Sequence, residues 1–259
     1  MLIVTWNVNS LRARLPRVLQ LLAEHRPDVA CLQETKCAPG DFPHAELAQA
    51  GYGAVDCSGG RWAGVALLAR DDLTLDRDHA VAGLPGDPVG SEARWCEATV
   101  AGLRFVSTYV PNGRALDSPE YPRKLAFLNA AIARAGELRA APLVLAGDFN
   151  IAPADLDVYD PPAFVGGTHV SEPERARLAL LLERGDLVDA YRTLEPDQVQ
   201  HTWWDYRAGH FHKGLGLRID LALLSASLAP RLRACAIARD YRKGPKPSDH
   251  APLLVELDR

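Results

Sequence analysis

Short apolar runs recur along the chain, each preceded or followed at once by polar residues. They are Leu2–Trp6, Val29–Gln33, Gly64–Ala69, Arg104–Tyr109, Leu143–Ala146, Ile219–Leu224 and Pro252–Leu257. Each is about 4–8 residues long, rich in β-branched residues or leucine and flanked by turn formers, which predicts buried strands. Between them the period becomes helical. Leu11, Leu15, Val18, Leu22 and Ala23 share one face, and Pro27 closes that segment. Tyr121, Leu125, Leu128, Ile132 and Ala135 recur at helical spacing behind Ser118-Pro119. A third helix is predicted from Ser171, where Glu174 completes a capping box, to Gly185 as its glycine cap. Leu84 to Gly90 is rich in Gly and Pro and reads as a loop. Strands and helices alternate with no linker or repeat, predicting one α/β sandwich over residues 1–259.

The polar residues at the strand ends carry the chemistry. Asn7 follows Trp6, Gln33-Glu34 closes VACL, Tyr109 ends RFVSTY with Asn112 just beyond, and Asp148 and Asn150 follow LVLAG. Asp220 instead opens DLALL, and Asp249-His250 precedes APLLVEL. If the strands with leading polar residues run antiparallel to the others, all six clusters meet at one end of the sandwich. Asn, Asp and Gly are also ordinary turn residues, so a single cluster carries little; six together carry an argument.

Composition narrows the class. The 259 residues are 47% hydrophobic and 24% charged, an ordinary globular make-up. No run of about 18 apolar residues occurs, and MLIVTWNVNS lacks a basic leader, so neither a membrane span nor a secretory signal is expected. Five cysteines with no C-x-x-C pair predict free thiols in a cytoplasmic protein, Cys31 being a small core residue. The formal charge of −4 counts against a polyanionic partner. Its distribution reverses that reading, because residues 201–250 hold nine Lys and Arg against four Asp and Glu.

Glu34, Asp148, Asp220 and Asp249 brought together with Asn7, Asn150 and His250 would need a hard cation or a protonated partner. All-oxygen donors suit Mg²⁺ or Mn²⁺ better than Zn²⁺. A divalent ion, a base and a cationic donor make a phosphoester-hydrolysing site. No G-x-S-x-G elbow occurs, and no cysteine neighbours a catalytic histidine in the sequence, which disfavours a covalent nucleophile.

TWNVNSLRAR, LQETK, YVPNG, LAGDFN, TWWDYR, GLRIDLALLS and PSDHAP occur in the order and spacing of the exodeoxyribonuclease III family of AP endonucleases. The resemblance runs from Met1 to about Leu257. GD-x-N and SDH are shared across the wider endonuclease/exonuclease/phosphatase superfamily, whereas QETK with WWDYR and RIDLALLS is narrower. The resemblance implies a four-layer αββα sandwich of two packed mixed β-sheets and Mg²⁺-dependent hydrolysis of double-stranded DNA. It implies incision 5′ to abasic sites, 3′-phosphodiesterase and phosphatase action, and 3′→5′ exonuclease action, by a monomer. Carried over residue by residue, Glu34 is the principal metal ligand, with Asn7, Asp148, Asn150 and Asp249 on the metal side. Asp148 and Asn150 hold the attacking water, His250 oriented by Asp220 contacts the phosphate, and Tyr109 assists there. The base is Asp148 or His250; a cationic His250 beside Asp220 favours Asp148. Trp203 and Leu217 would wall the pocket for an extruded sugar, with Trp204 a packing residue. Arg12, Arg14, Asn112, Arg114 and Arg207 are expected phosphate contacts. The competing reading is a phosphoesterase of the same superfamily acting on a small phosphoester or lipid head group, which WWDYR disfavours.

Overall fold

The structure is a computed structural model that describes residues 1–88, 90 and 92–258. In chain order its elements begin with β1 (Leu2–Asn7), α1 (Leu11–His25), β2 (Val29–Gln33), α2 (His44–Gln49), β3 (Tyr52–Cys57) and β4 (Val65–Arg70). They continue with β5 (Leu75–Ala82), β6 (Trp95–Val100), β7 (Leu103–Tyr109), α3 (Glu120–Leu138), β8 (Leu143–Asp148), α4 (Pro161–Phe164) and α5 (Glu172–Gly185). Then come β9 (Leu187–Asp189), α6 (Ala190–Leu194), α7 (His210–Lys213), β10 (Asp220–Ser225), β11 (Leu232–Ile237) and β12 (Leu253–Leu257). Short 3₁₀ turns connect several of them.

The strands form two six-stranded sheets, ordered β11-β12-β1-β2-β4-β3 and β5-β6-β7-β8-β10-β9. The apolar runs have no polar face because each central strand is covered on both sides. In β1, Ile3 points into the core shared by the sheets, with Cys31, Leu67, Phe105, Val144 and Ala222. Its neighbour Val4 faces the opposite way, under Leu11, Val18 and Leu22 of α1. The second sheet is covered in the same manner by Phe127 and Leu128 of α3 and Leu178 and Leu181 of α5. The result is the expected αββα layering of two mixed sheets.

Two local expectations change. The left-handed residue ending α5 is Asp186 (φ 53°), while Gly185 is the last helical residue. A Cβ on Gly185 would lie 2.8 Å from Leu187 and 3.2 Å from Ala135 of α3. This glycine therefore serves close helix packing, and the cap falls one residue later. The loop expected at Leu84–Gly90 is present at 84–88; Val89 lies outside the described residues. All five cysteines are free, and Cys31 is buried. No helix among the described residues is long and apolar enough to cross a membrane.

A buried ion-pair clamp anchors the start of β10. Arg218, wholly buried, donates from Nε to Asp157 Oδ1 at 2.7 Å and from Nη1 to Asp189 Oδ2 at 2.7 Å. Arg192 adds a bond to Asp157 Oδ1 at 2.5 Å. Burial pushes the Asp157 carboxyl up, but Arg218 and Arg192 outweigh it and hold it below its ordinary 3.8. Its stabilisation is therefore present above pH 3.8 and is lost as pH falls through the lower folded value. Asp157→Asn is expected to destabilise the fold by about 3 kcal/mol, because the buried Arg218 is left with Asp189 as its charge partner and Arg192 loses its own. Urea unfolding at neutral pH checks this; a loss below about 1 kcal/mol, the range of an exposed pair, would contradict it.

Candidate active site

The strand directions deliver the polar residues to one end. β1 and β2 are parallel, as are β7 and β8, so Asn7, Glu34, Tyr109 and Asp148 lie at or just beyond strand ends that point the same way. β12 is antiparallel to β1 and β10 to β8, which brings the start of each strand to that end. In register, Asp148 stands between Tyr109 and Asp220. The close approach of β7 and β8 explains the glycine of LAGD: a Cβ on Gly147 would sit 1.9 Å from the Thr108 carbonyl oxygen.

Among the described residues, Asn9, Ser10, Glu34, Lys36, Asn150 and His169, all close to these side chains, have positive φ. Such residues store strain that the surrounding structure must hold, and they cluster where side chains are aimed for a purpose.

Asn7 is fully buried and bridges two carboxylates, its Nδ2 donating to Glu34 Oε1 and to Asp148 Oδ2, each at 2.9 Å. Its Oδ1 accepts from the Asn9 N–H at 3.0 Å. Asn7 thus turns its nitrogen to the two carboxylates and its oxygen to the Asn9 backbone. Lys36 Nζ lies 2.8 Å from Glu34 Oε2. Asp148 Oδ1 accepts the Asn150 N–H at 2.9 Å. The Asn150 side chain is itself engaged, Nδ2 on the Val110 carbonyl at 2.9 Å and Oδ1 accepting from Asn112 at 3.0 Å. Asp249 is held by Asn9 Nδ2 at 3.0 Å and by the Trp203 indole N–H at 3.1 Å.

Among the described residues, the side chains whose ligand atoms gather within 4.8 Å of one another are Glu34, Asp148 and His250. His250 Nδ1 is 2.8 Å from Asp220 Oδ2, and Nε2 lies 3.7 Å from Asp148 Oδ2. Burial pushes the His250 pKa down, but Asp220 and then Asp148 outweigh burial and raise it to about 10. The imidazolium is therefore a donor, and the oxygen ligands left for a cation are those of Glu34 and Asp148. A carboxylate pair of this kind fits a hard divalent ion that keeps some of its water. Asp249 lies outside that cluster.

Burial pushes the Asp148 carboxyl up to about 7; Asp220 and Glu34 add to the rise, while His250 and Asn7 oppose it. Burial first, and the Glu34 charge second, hold the Tyr109 hydroxyl well above its ordinary pKa, so it stays protonated. The Arg94 guanidinium stacks on the Tyr109 ring, 4.5 Å from its centroid.

The expected DNA contacts divide. Trp203 borders the site, paired across short bridges with both His250 and Leu217. Leu217 is fully buried, so it presents no surface to a ligand and instead packs under Trp203 with Val158 and Ile219. Trp204 is buried against Phe211, a packing role as expected. Arg12 is exposed, Asn112 is exposed beside Asn150, and Arg114 is 74% exposed with Glu120 at 3.5 Å. Arg207 is 88% exposed beside Asp205. Arg14 is committed to the Asn9 and Pro247 carbonyls and the Tyr206 hydroxyl. The basic excess of residues 201–250 also shrinks. Arg218 and Arg242 are buried, and Arg231 and Arg239 bond to backbone carbonyls. Summed charge counts such arginines as surface although the fold has consumed them.

Four residues here were not legible as site residues. Lys36 and Asn9 sit inside quoted motifs, yet nothing in spacing says that they hold Glu34 and Asp249. Lys124 is wholly buried, donating to the Asn150 carbonyl at 2.7 Å and paired with Glu174. His169 Nδ1 meets the same carbonyl at 2.6 Å, and its backbone N–H bonds Glu174. Burial, helped by Lys124, pushes His169 down to about 4 and keeps it neutral.

A model of the endonuclease/exonuclease/phosphatase family matches residues 4–250. The chain is 31% identical over 269 residues to exodeoxyribonuclease III of Haemophilus influenzae, covering 98% of each chain. Its structure superposes on the 3′ phosphatase NExo from Neisseria, solved with a product DNA hairpin, with a TM-score of 0.96, 39% identity and full coverage of both chains. An AP endonuclease from Archaeoglobus fulgidus matches at TM-score 0.95 and 34% identity, again over all of both chains.

Proposed function

The chain belongs to the endonuclease/exonuclease/phosphatase family, and from that premise we propose that it hydrolyses phosphoesters of double-stranded DNA with Mg²⁺, Mn²⁺ being an alternative. Removal of 3′ phosphates and 3′-terminal nucleotides leads this reading, with incision 5′ to abasic sites as a further activity. The protein acts as a cytoplasmic monomer. The observation that carries the reading is the group formed by the half-buried Glu34, the buried Asp148 and the buried Asp220–His250 pair at one end of the two sheets. Among the relatives, the 3′ phosphatase at 39% identity supports giving 3′ ends first place.

A divalent cation beside Glu34 and Asp148 would offset their charge and polarise a phosphoryl oxygen. Burial raises the Asp148 carboxyl, and a cation bound beside it would lower it again and keep it ionised, so that it can accept a proton from water near neutral pH. His250, kept cationic by Asp220, donates to the oxygens on which charge develops. Tyr109 keeps its proton and can donate to the same phosphate. Asn150, pinned by Asn112 and Lys124, fixes the loop after Asp148 so that little reorganisation is needed.

Duplexes carrying a 3′ phosphate, a blunt 3′ end or a central abasic site, assayed side by side, check this. The 3′-phosphate duplex is expected to be turned over fastest and the abasic duplex to be cut on its 5′ side. Intact DNA in all three would contradict the reading.

A further inference from the structure

Trp62 is 72% exposed, an unusual position for the largest side chain. Val165 and Val199 are also exposed, but single exposed aliphatic residues are common. Trp62 differs because it lines a cavity of about 370 Å³ that reaches the catalytic end of the molecule, where Tyr109 and Asn112 form part of the same wall. Phe127 and Pro111 supply apolar wall, and Arg114 and Arg123 supply guanidinium groups. Arg114 has a loose partner in Glu120 at 3.5 Å, and Arg123 has none among the described residues.

The acids set what enters. Asp87 and Glu92 also line the cavity, and both are engaged, Glu92 by Arg94. Carboxylates there repel a phosphate chain but accept hydrogen bonds from base amino groups. An aromatic plate with apolar wall and acceptors takes a base, while Arg114 and Arg123 suit the phosphates attached to it. The Arg61 guanidinium lies 5.6 Å from the Trp62 ring centroid, and a cation on one ring face leaves the other for stacking.

We propose that this cavity binds the unpaired base next to the phosphoester being cut, stacked on Trp62, so that frayed or mismatched 3′ ends are favoured over paired ones. This rests on the DNA-hydrolysing reading above and adds the state of the strand end that the site selects. A base that has already left the helix costs nothing further to unstack, which is why such an end gains most from a stacking plate.

The test compares two duplexes ending in a 3′ phosphate, one with a paired terminal nucleotide and one with a mismatch there. Trp62→Ala is expected to lower kcat/KM on the mismatched end by about tenfold, near the lower part of what stacking one base contributes. The loss should lie in KM, with less than about a twofold change on the paired end and rescue by Trp62→Phe. Oligothymidylate should quench the intrinsic fluorescence of the wild-type protein and do so markedly less in Trp62→Ala. Equal losses on both ends, no loss on either, or an effect on kcat alone would overturn the proposal. The folding of the variant is checked by its melting curve, with little change expected for so exposed a side chain. Failure of the wild-type protein on both duplexes would instead strike at the hydrolase reading, which separates the two outcomes.

Discussion

Asp148→Asn is expected to leave duplex binding within a few-fold of wild type and to lower single-turnover cleavage by about 10³–10⁴, the scale of losing a general base. The substitution keeps shape and removes proton affinity. Asp148 is reached by Asn7 Nδ2, by the Asn150 N–H and by His250, so an amide there still finds partners for its oxygen. Fold and DNA surface are thereby retained while the carboxylate that can accept a proton is lost. Binding by fluorescence anisotropy and cleavage on a gel separate the two quantities. Cleavage within tenfold of wild type would remove Asp148 from its role.

Asp220→Asn has a different signature. The wild-type imidazolium persists to about pH 10 because Asp220 and Asp148 outweigh its burial. Without the Asp220 charge its pKa moves down toward the ordinary 6.5. Cleavage is expected to fall about 100-fold at pH 8, in the range of a lost charge-stabilising donor. The fall should ease at pH 6, so the variant gains a descending basic limb that the wild type lacks below pH 10. The stability linkage has the same sign. A histidine with a raised folded pKa stabilises fully below 6.5 and loses that contribution as pH climbs to about 10. A pH–rate profile parallel to that of the wild type would show that Asp220 does not act through the charge of His250.

What could be read in the sequence follows from how each element is buried. β1, β2, β4, β7, β8, β10 and β12 show as apolar runs because each has strand neighbours on both sides and cover on both faces. β5 and β11 escape because edge strands carry charge outward, as in Asp76, Arg77, Asp78 and Arg233. β3 is the other edge of the first sheet, and β9 is three residues long. β6 is interior, yet Glu97 interrupts its run. That carboxylate is wholly buried and satisfied by Arg104, Arg134 and the Trp95 indole, partners visible only in three dimensions.

The site divides along the same line. Its carboxylates and His250 are legible because they abut strand runs, and strand direction then brings them together. Lys124 is not legible. Its position in α3 reads as helix surface, and only the approach of α5 turns it inward to Glu174 and the Asn150 carbonyl. Leu217 shows the reverse error: a motif position read as a pocket wall is occupied by a side chain without exposed surface.

The proposed metal-dependent scission at this end of the sandwich is open to direct measurement. The decisive measurement is the single-turnover rate of phosphate release from a 3′-phosphate duplex as Mg²⁺ is titrated into protein first stripped with EDTA. The predicted result is no release without the ion, a saturable rise with Mg²⁺, and a Glu34→Gln variant needing far more Mg²⁺ to reach its plateau. Release that proceeds undiminished in EDTA, or a Glu34→Gln titration that overlays the wild type, would contradict it.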